Sequence, residues 1–148
     1  MNTQRPQAQN IAEIIKVMQG GIDFYQEAQK EVDTDYVQSA FQRMIREKKK
    51  AIEDLQPFAI NEQGEPEDDS HWMVDLRKHY TKLIGTFSSE EEHTYVKQLE
   101  EVEDKVLEVL DDALGKTQPT ECMEVLRRIR AAAQQLHDEM KALQQATA

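Results

Sequence analysis

The sequence predicts an all-α domain, a four-helix bundle with a long connection between its second and third main helices. Three observations predict it. Four segments repeat apolar residues at steps of three and four, the period of a helix with one buried face. The joints after the first and third segments are short, so each pair must lie as antiparallel neighbours. The stretch between the second and third segments is much longer, and glycine, proline and acidic residues interrupt it.

The first helix is expected over about residues 8–31. Ile11, Ile15, Met18, Ile22 and Tyr25 share one face, with Ile14 and Ala28 beside them. Gly20 and Gly21 each cost about 1 kcal/mol relative to alanine in an exposed helix. Their simplest role is close approach of a neighbouring helix or a mild bend; the rival reading is a break. Thr34 or Asp35 can cap the second helix, which runs to about Gln56 on Val37, Phe41, Met44, Ala51, Ile52 and Leu55. Pro57 predicts a kink or a final turn there. Residues 61–70, NEQGEPEDDS, read as a loop.

A short helix over about residues 71–84 would place Trp72, Leu76, Tyr80 and Leu83 on one side. It covers roughly 20 Å at 1.5 Å per residue. With the acidic loop, that length can carry the chain back to the other end of the bundle. The second and third helices would then run parallel, as in a bundle with one long crossover. A plain five-helix bundle is the structural alternative. The third helix is expected over about residues 89–114, where Tyr95, Leu99, Val102, Val106, Val109 and Ala113 keep a 4-3-4-3-4 spacing. Gly115 stops it. The fourth starts near Pro119 and repeats Cys122, Leu126, Ile129, Ala133, Leu136, Met140 and Leu143. Residues 1–7 and 144–148 are expected to be flexible ends of this single domain, which spans residues 1–148.

At 148 residues the chain is long enough for one sizeable core. Acidic residues outnumber basic ones 29 to 18, a formal net charge of −11. The excess lies in the 62–69 segment and between Glu90 and Asp112. Such a field repels phosphate backbones, so nucleic acid is not an expected partner. The run Arg46, Lys48, Lys49, Lys50 is too short to reverse this. No apolar stretch reaches membrane-spanning length. The first ten residues lack signal-peptide order, and Cys122 is the only cysteine, which points to the cytoplasm.

Four stretches carry a resemblance to a known family: GGIDFYQEAQKEV from Gly20, the GEPEDDS loop with HWMVDLRKHYTKLIG after it, LEEVEDKVLEVLDDAL from Leu99, and AAQQLHDEMKAL from Ala132. Together they resemble the bacterial ferritin-like proteins of domain of unknown function family 2383, over about residues 8–143. Gly21, Asp23, Tyr25, Ala28, Glu100, Glu103, Asp104, Ala113, Leu114, His137 and Asp138 stand at matching places. Val102 stands where that pattern has glycine, and Leu110 where it has tyrosine. The resemblance implies a ferritin-like bundle. By fold analogy alone, it raises metal or oxidative-stress chemistry.

A di-iron centre in such a bundle takes a glutamate from each of two helices and Glu-x-x-His from each of the others. Glu90 with His93 is the one such pair, and it falls in the first turns of the third helix. Glutamates there also meet the helix dipole favourably without any metal. His137 has Gln134 three residues earlier. Glu90, His93, Glu100, Glu103 and His137 are therefore candidate ligands for iron or another divalent metal, but they do not form a complete set. No cofactor is predicted outright.

Glu103 borders the Val102–Val106 stripe, and a buried carboxylate needs a partner. Lys48 lies on the inner side of the second helix between Met44 and Ile52. We expect a buried polar network of Glu103 with Tyr25, Lys48 or His137; the alternative is a Glu103 that flanks the core and stays wet. Cys122 reads as a core residue rather than a reactive thiol. No phosphate loop, nucleophile elbow or HExxH occurs. No catalytic residues are assigned. The reading favours a noncatalytic helical interaction or stress-related protein, which could form a homodimer, over a ferritin-like metal-binding protein or oxidoreductase.

Overall fold

A computed structural model describes residues 6–68 and 91–147. Its helices are α1 (Ile11–Gln29), α2 (Asp35–Gln63), α3 (Glu91–Leu114) and α4 (Thr120–Thr147). No strand occurs among the described residues. The short helix expected over 71–84, with Trp72, Tyr80, His71 and His79, lies outside them.

The core resolves into two apolar clusters, one towards each end. One joins Ile11, Ile14, Ile15 and Met18 to Leu55 and Ala59, to Val106 and Leu110, and to Cys122, Leu126 and Ile129. The other joins Ile22, Tyr25 and Ala28 to Val37, Phe41 and Met44, to Tyr95, Val96 and Leu99, and to Met140. The start of α1 thus meets the end of α2, and the end of α3 meets the start of α4. The start of α2 shares its cluster with the start of α3. Helices α1 and α2 are therefore antiparallel, α3 and α4 are antiparallel, and α2 and α3 run parallel. Packing is closest within the α1–α2 and α3–α4 pairs, looser between α1 and α3, and looser again between α2 and α4.

Several boundaries differ from the sequence expectation. Helix α2 passes through Pro57 and ends only at Gly64, whose left-handed φ of 89° and N–H to Ile60 O bond of 2.8 Å close it. Proline is tolerated because Pro57 and Glu53 both face solvent. The Glu53 carbonyl that loses its helical donor stays open to water. Asn61, Glu62 and Gln63, expected in the loop, form the last turn. Helix α4 continues to Thr147, where fraying is expected. Helix α1 also buries Val17 and Phe24, roughly opposite its main stripe.

Helix α1 is continuous through Gly20 and Gly21, which removes the rival reading of a break. A Cβ on Gly21 would lie 2.9 Å from Val102 Cγ1 and 3.5 Å from Lys48 Cε. The small residue at 21 makes room for the valine at 102. The close contact therefore survives with glycine on α1 and the larger side chain on α3.

Polar side chains fasten the ends. Asn10 precedes α1 without a side-chain cap. The Glu62 carboxylate at the end of α2 instead accepts from the N–H groups of Asn10, Ile11 and Ala12 at 3.2, 2.9 and 2.8 Å. It satisfies three orphan donors and opposes the positive end of the helix dipole. Buried Gln118 binds Gln9 in both directions, accepting at 2.8 Å and donating at 2.7 Å. At the α1–α2 joint, the Gln38 amide donates to the carbonyls of Gln29 and Val32. After Gly64 the chain turns back, and Glu67 O accepts from Gln19 on α1 at 3.1 Å and Gln56 on α2 at 2.7 Å. Two members of the acidic 62–69 segment thus serve packing as well as solubility.

The Gly21–Val102 contact makes a testable pair. Overpacking a core costs about 1–3 kcal/mol, against a helix-propensity gain of about 1 kcal/mol for glycine to alanine. Gly21→Ala should lower the urea midpoint in the native chain. In a Val102→Ala background the same change should raise it, because the added methyl then has space.

Candidate functional site

Near the middle of α2 and α3 a charged pair crosses the apolar interior. Lys48 sits on the inward stripe of α2, one turn from Met44 and Ala51, so its side chain enters the core. Glu103 follows Val102 on the inward face of α3. Their side chains are 2% and 0% exposed, and Lys48 Nζ donates directly to Glu103 Oε2. Tyr25, fully buried on α1, donates its hydroxyl to the same oxygen at 2.5 Å. One carboxylate oxygen therefore joins three helices.

The surroundings fit this arrangement. The ammonium lies 5.1 Å from the centroid of the Tyr25 ring, within cation–π range. Phe41 meets that ring edge-on at 5.5 Å between centroids. Burial raises the Tyr25 hydroxyl well above its ordinary pKa. The Glu103 charge, the hydrogen bond to Glu103 and the Glu139 charge add to the shift. Tyr25 thus remains a proton donor at neutral pH. Glu103 Oε1, equally buried, has no hydrogen-bond donor among the described residues.

The other candidates lie elsewhere. His137 does not join Glu103; its Nε2 is 2.6 Å from Asp104 Oδ1 and its Nδ1 is 3.4 Å from Asp138 Oδ1. Successive helical residues point about 100° apart, so Asp104 faces the outer α3–α4 seam where the half-buried imidazole lies. Gln134 and then His137 hold the Asp138 carboxyl below its usual range. His93 Nδ1 is 3.3 Å from Thr147 Oγ1 at the far end of α4. Glu100 is half-buried on α3. Glu90 lies outside the described residues.

Among the described residues, no three of histidine, cysteine, aspartate and glutamate cluster closely enough to hold a metal ion. The centre offers a single carboxylate with an ammonium already on it. A cation there would have to displace Lys48 against charge repulsion, so these groups do not fit a di-iron centre.

Cys122 is fully buried with the apolar residues of one end. Its Sγ lies 3.8 Å from Gln118 Oε1. Burial, helped by the Glu62 charge, pushes its thiol up to about 11. That outweighs any helix-terminus effect and makes the thiolate scarce at neutral pH.

A family model described as Domain of unknown function (DUF2383) matches residues 7–116. The chain belongs to this family. The match contains Tyr25, Lys48 and Glu103 and stops before α4, so His137 and the whole 132–143 stretch fall outside it. Neither the curated proteins nor the solved structures contain a significant match. No helix among the described residues is long and apolar enough to cross a membrane.

Glu62 and Gln118 carry no local pattern that marks them as end clamps. Both lie in polar segments, and their targets are 50 or more residues away. The central pair supports a direct test. Lys48→Met alone should cost about 3–5 kcal/mol in urea unfolding, because it strands a buried carboxylate. Adding Glu103→Leu should restore most of that loss.

Proposed function

We propose that this protein is a noncatalytic, cytoplasmic, ferritin-like helical bundle that acts by association in a stress-related setting. One observation carries the reading: the Lys48 ammonium on Glu103, with Tyr25 as second donor, stands where a ferritin-type centre would gather several carboxylates around metal. A fixed internal cation there serves packing and register and leaves no open coordination position. The parallel run of α2 and α3 supports the ferritin-like architecture, with the chain between them as the crossover. Solitary Cys122, buried with a raised thiol pKa, agrees with a reducing compartment.

Association is proposed at the sparsely packed α2–α4 face, through a second copy of this chain. A groove of about 640 Å³ runs there, lined by Ala132, Leu136 and Ala142 together with Arg43, Glu47 and Glu139. Arg43 and Glu139 pair with one another there at 2.7 Å, so a second copy would cover that ion pair or exchange its partners across the two-fold axis.

The rival reading is a divalent-metal-binding protein or oxidoreductase of the ferritin-like kind. It draws on one feature, the donorless Glu103 Oε1, and requires Lys48 to leave the carboxylate. Two measurements on the full chain decide between them. Fe(II) added under air should give no growth of near-ultraviolet absorption and no protein-bound iron by elemental analysis. Sedimentation velocity should show a species of twice the chain mass as concentration rises. Stoichiometric iron uptake would overturn the noncatalytic reading, and a monomer at every concentration would remove the dimer.

A further inference from the structure

The charges along the α2–α4 face follow a pattern of sign. On α2, Arg43, Glu47, Lys50 and Asp54 stand at steps of four, three and four, so they share one stripe of the helix. On α4, Arg128, Ala132, Gln135 and Glu139 stand at the same steps. All of these line the cavity or the groove between the two helices. Asp138, also on the groove, is turned toward His137. Two ion pairs tie the stripes together, Arg43 to Glu139 at 2.7 Å and Arg128 to Asp54 at 3.3 Å.

Those pairs fix the levels of the two helices. The midpoint of Arg43 and Asp54 falls just after Lys48, and the midpoint of Arg128 and Glu139 falls just after Ala133. The ion pairs set both midpoints at one height. About that height each stripe is its own opposite: Arg43 mirrors Asp54, Glu47 mirrors Lys50, and Arg128 mirrors Glu139. Val125 and Ala142, which extend the α4 stripe, mirror one another as apolar residues.

Consider a two-fold axis at that height, in the plane of the face and perpendicular to the helices. It lays α2 antiparallel on the partner's α2, and α4 on the partner's α4. Arg43 then faces the partner's Asp54, which is held by the partner's Arg128. The partner's Arg128 in turn faces Glu139, which is held by Arg43. The ion pairs join into a closed ring of alternating charge on each side of the axis, a network rather than isolated surface pairs. Glu47 faces the partner's Lys50 beside the axis. A two-fold axis parallel to the helices does less, because it sets Glu47 and Lys50 against the partner's Gln135 and the partner's Ala132. A partner of a single charge sign would match only half of the face.

We propose that two copies associate face to face about the perpendicular axis, with the Arg43–Glu139 and Arg128–Asp54 pairs joined across it. The inference rests on the dimer reading above and adds its axis and charge register. Charge-reversed full-length chains test it. Arg43→Glu sets a carboxylate against the partner's Asp54, and Asp54→Arg sets a guanidinium against the partner's Arg43. In sedimentation velocity each variant should self-associate at least about tenfold more weakly than the native chain, since like charges meet at two places. An equimolar mixture should restore association to near the native level, because the unlike chains complement each other at both places. The parallel axis allows no such rescue, since the reversed groups then meet the partner's Glu139 and the partner's Arg128. Thermal melting by circular dichroism checks that both variants fold. If either does not, Glu47→Lys with Lys50→Glu gives the same comparison next to the axis. A native dimer that neither variant weakens, or a mixture without rescue, would overturn this axis and leave the dimer reading standing. A native chain that stays monomeric at every concentration would overturn both.

Discussion

Glu103 brings a negative charge into the middle of an apolar bundle, and the packing around it depends on how that charge is met. Desolvating a carboxylate and an ammonium costs several kcal/mol per ion. Lys48 supplies the opposite charge, Tyr25 a second donor on the same oxygen, and the tyrosine ring a favourable face for the ammonium. These groups come from α2, α1 and α3. A rotation of any one helix by a single residue, about 100°, would separate them and strand a buried charge. The pair therefore penalises wrong registers more than it adds stability to the right one. A well-packed hydrophobic replacement is often as stable as such a pair.

The glycine at 21 belongs to the same constraint. Its missing side chain lets Val102 and the stem of Lys48 come close to α1, which sets the depth at which Lys48 meets Glu103. The end of the bundle where α1 begins is fixed by two polar clamps. Glu62 holds the first turn of α1 to the last turn of α2, and Gln118 ties residue 9 to the α3–α4 joint. Charged and amide side chains thus set alignment at both the centre and that end, while the apolar clusters supply the bulk of the burial. The α2–α4 side is bridged by the surface ion pairs Arg43–Glu139 and Arg128–Asp54, and the cavity and the groove both open there.

The apolar steps of three and four made the four helices and their inward faces readable, because a 3.6-residue period exposes its own core stripe. Lys48 between Met44 and Ile52, and Glu103 beside Val102, were readable for the same reason. Where α2 ends was not. Pro57 reads as a kink or a final turn, and only its exposure and that of Glu53 explain how the helix runs on past it. The place of His137 was also hidden. It lies beside the inward Leu136, and only the angular offset between Glu103 and Asp104 decides which carboxylate it meets. Glu62 and Gln118 read as loop polarity because their partners are distant in sequence. Val17 and Phe24 fall outside the single stripe that the pattern emphasises.

Lys48 is a desolvated ammonium held against Glu103, beside Tyr25. Heteronuclear NMR of the lysine side chains at neutral pH reads this contact. One ammonium resonance is expected with slow solvent exchange and NOEs to the Tyr25 ring, lost in Lys48→Met. A Lys48 ammonium that exchanges as fast as the surface lysines and shows no contact with Tyr25 would contradict it.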